Sequence, residues 1–151
     1  FLFCFLFFLM ACKSEAQKKS SFKIQKSDAE WKMQLTDLEY YVMRKEGTEP
    51  AFSSPLNKNY GSGTYVCKGC ESPLFLSSHK FNSGSGWPSF DREIKGNVAF
   101  SIDFNVGISR TEEHCASCGA HLGHVFNDGP KKTTGKRHCI NGIALKFIPK
   151  K

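Results

Sequence analysis

Cys115-Ala-Ser-Cys118-Gly-Ala-His121-Leu-Gly-His124-Val-Phe-Asn127-Asp128-Gly-Pro130 is the segment on which the fold turns. A Cys-x-x-Cys pair opens it, and a matching pair stands upstream at Cys67-Lys-Gly-Cys70. Each pair has glycine beside or between its thiols, which gives the chain the freedom to wrap a metal. Two such knuckles supply four thiolates, the donor set of a tetrahedral Zn²⁺ site. Four protein ligands leave zinc no open position, so the expected role is structural: one ion pins distant parts of a sheet together. Two disulfides are the competing reading, permitted outside the cytoplasm. Paired Cys-x-x-Cys thiols chelate more readily than they form structural bridges, so zinc is preferred. His114, next to Cys115, reads as a surface or supporting histidine rather than a substitute ligand.

Working outward, the chain before and after the knuckles is built from short pieces. Ser27-x-x-Glu30 and Thr36-x-x-Glu39 are capping boxes that open two short helices, stopped by Gly47 and Pro50. Thr64–Cys67 and Leu74–Leu76 read as strands leading into and out of the first knuckle. From Asn97 to Phe104 the apolar Val98, Phe100, Ile102 and Phe104 alternate with more polar neighbours, as in a half-buried strand. Arg137 to Ile148 reads as one long final strand, with Ile143, Leu145 and Phe147 on one face. Thirteen glycines between short runs favour antiparallel sheets over βαβ units. The expected fold is mainly β with short N-terminal helices and a structural Cys4 zinc site.

The N-terminus is of another kind. Phe1 to Ala11 (FLFCFLFFLMA) carries no charge. It is shorter than the roughly 20 residues that cross a bilayer, and fits the apolar region of a secretory signal whose basic start is missing. Leu9-Met10-Ala11-Cys12 resembles a lipobox, in which Cys12 is acylated and anchors the chain to a membrane. The expected location is therefore extracytoplasmic, as a lipoprotein, with a secreted soluble form as the alternative. Residues 12–26 are Lys-rich and read as a flexible tether, reaching roughly 20 Å. Residues 27–151 then form one domain, large enough for a core without disulfides. The formal net charge is +7, and a four-thiolate zinc site offsets part of it. Lys131, Lys132, Lys136, Lys146, Lys150 and Lys151 give a basic surface with some attraction to anionic lipid. Nothing spaces aromatics and arginines as a nucleic-acid platform does, so no nucleic-acid partner is expected.

Of seven cysteines, four suit zinc, Cys4 would leave with the signal and Cys12 would be acylated, so Cys139 is left over. Taken alone, a lone strand cysteine is more often a small buried hydrophobe than a nucleophile. Its company argues otherwise: Arg137 and His138 favour thiolate, His121 and His124 offer imidazoles, and Asp128 is available to orient a ring. Gly86-Trp87-Pro88-Ser89-Phe90 adds an indole on a Gly/Pro-rich loop. Thiolate, imidazoles and an indole wall suit a small, partly apolar, oxygen-bearing substrate.

Several motifs, in order along the whole domain, resemble the type B methionine sulfoxide reductases: Glu30-Trp31-Lys32, Gly47-Thr48-Glu49-Pro50, Gly86–Phe90, Arg110-Thr111-Glu112, His121-Leu-Gly-His124-Val-Phe-x-Asp128-Gly-Pro130 and Arg137-x-Cys139-x-Asn141. The resemblance implies two antiparallel sheets, a structural zinc remote from the active site, and Cys139 as nucleophile toward the R epimer of methionine sulfoxide. It further implies His121 and His124 as donors to the S=O oxygen, Asp128 and Arg137 holding them, Asn141 orienting the site, and Trp87 packing on the substrate methyl. The substrate would be oxidised protein or free methionine sulfoxide, and a thioredoxin-like or other thiol would restore the Cys139 sulfenic acid. One departure stands out. Many members carry a resolving cysteine between the two glycines before Trp87-Pro88, where this chain has Ser85. Two other classes compete: a zinc-ribbon binding module with structural histidines, and a membrane-associated metal or thiol chaperone.

Overall fold

The computed structural model describes residues 22–151. The leader and most of the expected tether lie outside them. Both capping boxes form as the sequence dictates. Ser27 caps α1 (Asp28–Gln34) and Thr36 caps α2 (Asp37–Arg44), each with reciprocal bonds to the glutamate three residues on. Trp31 in α1 and Val42 and Met43 in α2 are buried against the sheets. Within the expected tether, Ile24 donates its amide to the Ser117 carbonyl at 2.9 Å and packs on the core.

Among the described residues, nine strands make two antiparallel sheets: β1 (Gly63–Cys67), β2 (Pro73–Leu76), β3 (Lys80–Phe81), β4 (Ser89–Phe90), β5 (Val98–Asp103), β6 (Arg110–Cys115), β7 (His121–Phe126), β8 (Arg137–Ile140) and β9 (Leu145–Pro149). The smaller sheet runs β2-β1-β9 and the larger β3-β4-β8-β7-β6-β5. Between them Phe75 stacks on Phe90 at 4.4 Å between ring centroids, and Tyr65 meets Phe90 edge to face at 5.0 Å. The expected fold, mainly β with two antiparallel sheets and two short helices, is the one observed.

Two strand assignments change. The final segment is not one strand but two, β8 and β9, one in each sheet. The break at Gly142–Ala144 is a 3-10 turn. It is held from outside, because the buried Glu49 carboxylate accepts the amides of Gly142 (2.6 Å) and Ile143 (2.9 Å). A Cβ on Gly142 would lie 2.1 Å from Ser54 Oγ, so the turn needs glycine there. The second change is β5. Phe100 and Ile102 face solvent, while Asp103 is buried. The charged side points inward because Arg110, His124 and the Asn105 amide all donate to Asp103. Three donors outweigh the burial of two apolar side chains at a sheet edge.

Candidate active site and metal centre

The two knuckles are the turns between β1 and β2 and between β6 and β7, one on each sheet. They bring the sulfurs of Cys67, Cys70, Cys115 and Cys118 within 4.8 Å of one another. Cys67–Cys118 and Cys70–Cys115 are 3.7 and 3.5 Å apart. Zinc–sulfur bonds of about 2.3 Å in a tetrahedron put sulfurs about 3.8 Å apart, so the spacing suits zinc and is too long for disulfides. Four thiols this close share hydrogen bonds that push Cys67 and Cys118 up and pull Cys70 down, with Cys115 at about 7. They cannot all ionise without a cation, and a metal such as zinc is what the donor set fits. His114 is not among these four. Its Nε2 meets Glu112 Oε1 at 3.1 Å.

Cys139 lies in β8, an interior strand of the large sheet. It is paired with Ser89 of β4 on one side and His124 of β7 on the other. Gly123 lets β7 come close: a Cβ there would stand 2.0 Å from the Cys139 carbonyl oxygen. A small cavity of about 190 Å³ opens over this row, lined by Cys139, His124, Trp87, Asn141, Thr48 and Arg110 among others. Trp87 is half-buried, and its Nε1 donates to the Glu49 carbonyl at 3.1 Å, which fixes the indole as a wall. Asn141 is buried. Its side chain accepts from the Glu49 amide at 2.9 Å and donates to the Leu122 carbonyl at 3.0 Å. Glu49 thus reaches both sides of the cavity, although sequence reasoning gave it no role.

His121 and His124 are three apart, a spacing that would put them on opposite faces of a regular strand. A register shift between Glu113 and His114 relieves this, and the rings meet edge to face at 5.6 Å. They do not share one cavity fully. His121 lines an adjoining space of about 230 Å³, which His124, Thr48 and Arg110 also border. Each ring has its own carboxylate, and neither is Asp128. Glu112 Oε1 sits 2.5 Å from His121 Nδ1, and Asp103 Oδ2 sits 2.8 Å from His124 Nε2. Burial lowers the His121 pKa, with Glu112 opposing, and its buried Nε2 has no partner among the described residues. That nitrogen is ready for a polar atom of a ligand. Asp103 stays ionised, held well below the usual range first by the Asn105 amide and then by His124 and Arg110.

Asp128 instead pairs with Arg137 through two bonds of 2.8 and 2.9 Å, and it is largely exposed. Arg137 lies over the Phe126 ring at 4.5 Å and stands two residues from Cys139 on the same strand. Asp128 and Arg137 border a more open cavity of about 430 Å³, lined also by Ser83 and Ser85. For Cys139 itself burial dominates and pushes the thiol up, while Ser85 and Arg137 pull it down. The sequence expectation that cationic neighbours favour thiolate captures only the opposing part. On the other face of β8, His138 Nδ1 bonds the fully buried Glu113 at 2.6 Å.

Residues 35–149 match the family model described as SelR domain. A peptide methionine sulfoxide reductase MsrB from Leptospira interrogans is 51% identical over 128 residues, covering 84% of this chain and 97% of that protein. The MsrB of Agrobacterium fabrum is 48% identical over 128 residues, 84% of this chain and 94% of its own length. Methionine-R-sulfoxide reductase B3, mitochondrial, of Mus musculus is 46% identical over 132 residues, 87% of this chain and 52% of its own.

Proposed function

The chain belongs to the SelR-domain family, the type B methionine-R-sulfoxide reductases, and on that premise we propose that Cys139 is the nucleophile that takes the sulfoxide oxygen. The reaction is the reduction of methionine-R-sulfoxide to methionine. The observation that carries the mechanism is the placement of Cys139 directly across from His124, under one cavity walled by Trp87.

The substrate's apolar methyl group packs against the indole, whose fixed plane admits one epimer with its oxygen toward the histidines. The Cys139 thiolate attacks the sulfoxide sulfur. Negative charge grows on the oxygen, and attack is slow unless that oxygen is hydrogen-bonded or protonated. His124, with Nε2 on ionised Asp103, and His121, with Nδ1 on Glu112, donate to that oxygen from their other ring nitrogens when the rings are protonated, and one of them gives up the proton that the oxygen takes. Oxygen and one proton end on the Cys139 sulfur as sulfenic acid, methionine leaves, and sulfur has given up two electrons. Asn141 and Thr48 shape the cavity, and the Arg137–Asp128 pair holds a positive charge beside the strand. An external thiol, thioredoxin-like or small, attacks the sulfenic acid and expels water, and a second thiol frees Cys139. Ser85 leaves no resolving thiol next to the nucleophile, which is what supports direct external recycling. Zinc held by Cys67, Cys70, Cys115 and Cys118 would supply a rigid link between the sheets and no step of the reaction.

The test is a single turnover without reductant, using the separate R and S epimers of methionine sulfoxide and a sulfenic-acid trap. Only the R epimer should yield methionine, with one trap molecule on Cys139. Equal turnover of both epimers, or a disulfide from Cys139 to another cysteine of residues 27–151, would overturn it.

We place the enzyme outside the cytoplasm on a lipid anchor. The support is the uncharged run Phe1–Ala11 and the sequence Leu9-Met10-Ala11-Cys12. Fatty-acid labelling that persists in Cys12→Ser would remove that reading.

A further inference from the structure

Beside Cys139 runs a row of three serine hydroxyls that the reaction above does not use, two of them on the cavity that Arg137 and Asp128 border. Ser85 Oγ lies 3.8 Å from Cys139 Sγ, within hydrogen-bonding reach of the larger sulfur atom. Ser83 Oγ is 2.8 Å from Ser85 Oγ and 2.7 Å from Ser89 Oγ. Ser89 Oγ is 3.1 Å from the Trp87 carbonyl, and Ser89 is buried and paired with Cys139 across the strands. Resting on the reading of Cys139 as nucleophile, we propose that Ser85 is a catalytic residue of this chain. Its hydroxyl donates to the Cys139 thiolate before attack and to the sulfenate oxygen after it, with Ser83 and Ser89 supplying hydrogens behind it.

Hydrogen bookkeeping supports this, since each hydroxyl has one hydrogen to place. With Cys139 as a thiol, the bonds run outward: sulfur donates to Ser85, Ser85 to Ser83, Ser83 to Ser89, and Ser89 to the Trp87 carbonyl. With Cys139 as thiolate, every hydroxyl rotates and the bonds run inward, so Ser85 donates to sulfur. All three oxygens keep partners in both states. Only the Trp87 carbonyl loses one. The row ends on a carbonyl, which is no base, so it cannot carry the thiol proton away; it solvates the anion rather than relaying protons. That is what a nucleophile disfavoured by burial needs, and the loop that places Ser85 is the one that carries Trp87.

Arg137 on the Cys139 strand favours the thiolate, and buried Glu113 on the opposite face of the sheet disfavours it. His124 and Arg110 border the cavity. Among these, the Ser85 hydroxyl touches the sulfur and can be removed without changing charge.

The experiment follows Cys139 alkylation by iodoacetamide as a function of pH in the zinc-loaded full chain, read at the Cys139 peptide by mass spectrometry. Ser85→Ala should move the midpoint upward by about half to one pH unit, since a lost donor raises a thiol's pKa. It should slow single-turnover methionine formation near neutral pH by about 3- to 10-fold. Ser85→Thr, which keeps the hydroxyl, should restore the wild-type midpoint. An unshifted midpoint in Ser85→Ala overturns the proposal. So does an equal shift in Ser85→Thr, which would assign the effect to loop packing. Alkylation involves no sulfoxide, so a wild-type chain that failed to reduce the R epimer would refute the nucleophile reading and leave the Ser85 result to be judged on its own.

Discussion

Cys139→Ser is expected to lower reduction of methionine-R-sulfoxide by at least about 1,000-fold, a loss of about 4 kcal/mol of transition-state stabilisation. Two reasons combine. A serine hydroxyl is far harder to ionise than a thiol, so the attacking anion is scarce. An alkoxide that did attack would have to accept oxygen onto oxygen, forming a peroxide, whereas sulfur takes it as a sulfenic acid. The substitution is nearly isosteric at a partly exposed position between β4 and β7. The melting curve should therefore stay within about 1 kcal/mol of wild type. Purified Cys139→Ser that matches the wild-type rate on the R epimer would remove the nucleophile from the mechanism.

Cys118→Ser should release the metal and lower the melting midpoint by on the order of 10 °C or more. Four-thiolate zinc contributes about 10–16 kcal/mol of apparent binding energy in small domains, while whole domains are stable by only about 5–15 kcal/mol. Loss of a fraction of the first is a large part of the second. Cys118 is buried in the turn that joins β6 to β7, and its sulfur faces Cys67 across the gap between sheets. Metal content and circular-dichroism melting on the same preparation decide the matter. A metal-free variant with an unchanged melting curve would show that the four sulfurs hold the fold without an ion.

What the sequence showed and what it hid divide along physical lines. The capping boxes are local, three-residue signals, and both form as written. Strands β1 and β2 were legible because apolar residues flank a knuckle. Strand β6, Arg-Thr-Glu-Glu-His-Cys, had no such signal, because two glutamates turn inward to His121 and His138 instead of to solvent. The same demand inverted β5, where Asp103 displaced the apolar face from the interior. The partners of the histidines were hidden for a related reason. Asp128 is near in sequence and was the natural choice to orient a ring, but it stands beyond the end of β7, where it pairs with Arg137. Glu112 and Asp103 come from other strands and follow no periodicity that spacing could reveal. The break at Gly142 required knowledge of Glu49, more than 90 residues away. Buried carboxylates paired with histidines obscured the pattern wherever they entered a strand.

Glu49 also sets how changes in this protein combine. Its carbonyl holds Trp87, its amide holds Asn141, and its carboxylate holds the turn after β8. Trp87 and Asn141 thus share one partner, so their substitutions draw on a common reserve of order and should not be thermodynamically independent. Once either is lost, Glu49 is already loosened, and losing the second costs less than it would alone. Evolution would then meet these positions as a linked pair: a change at one alters which changes at the other are tolerated.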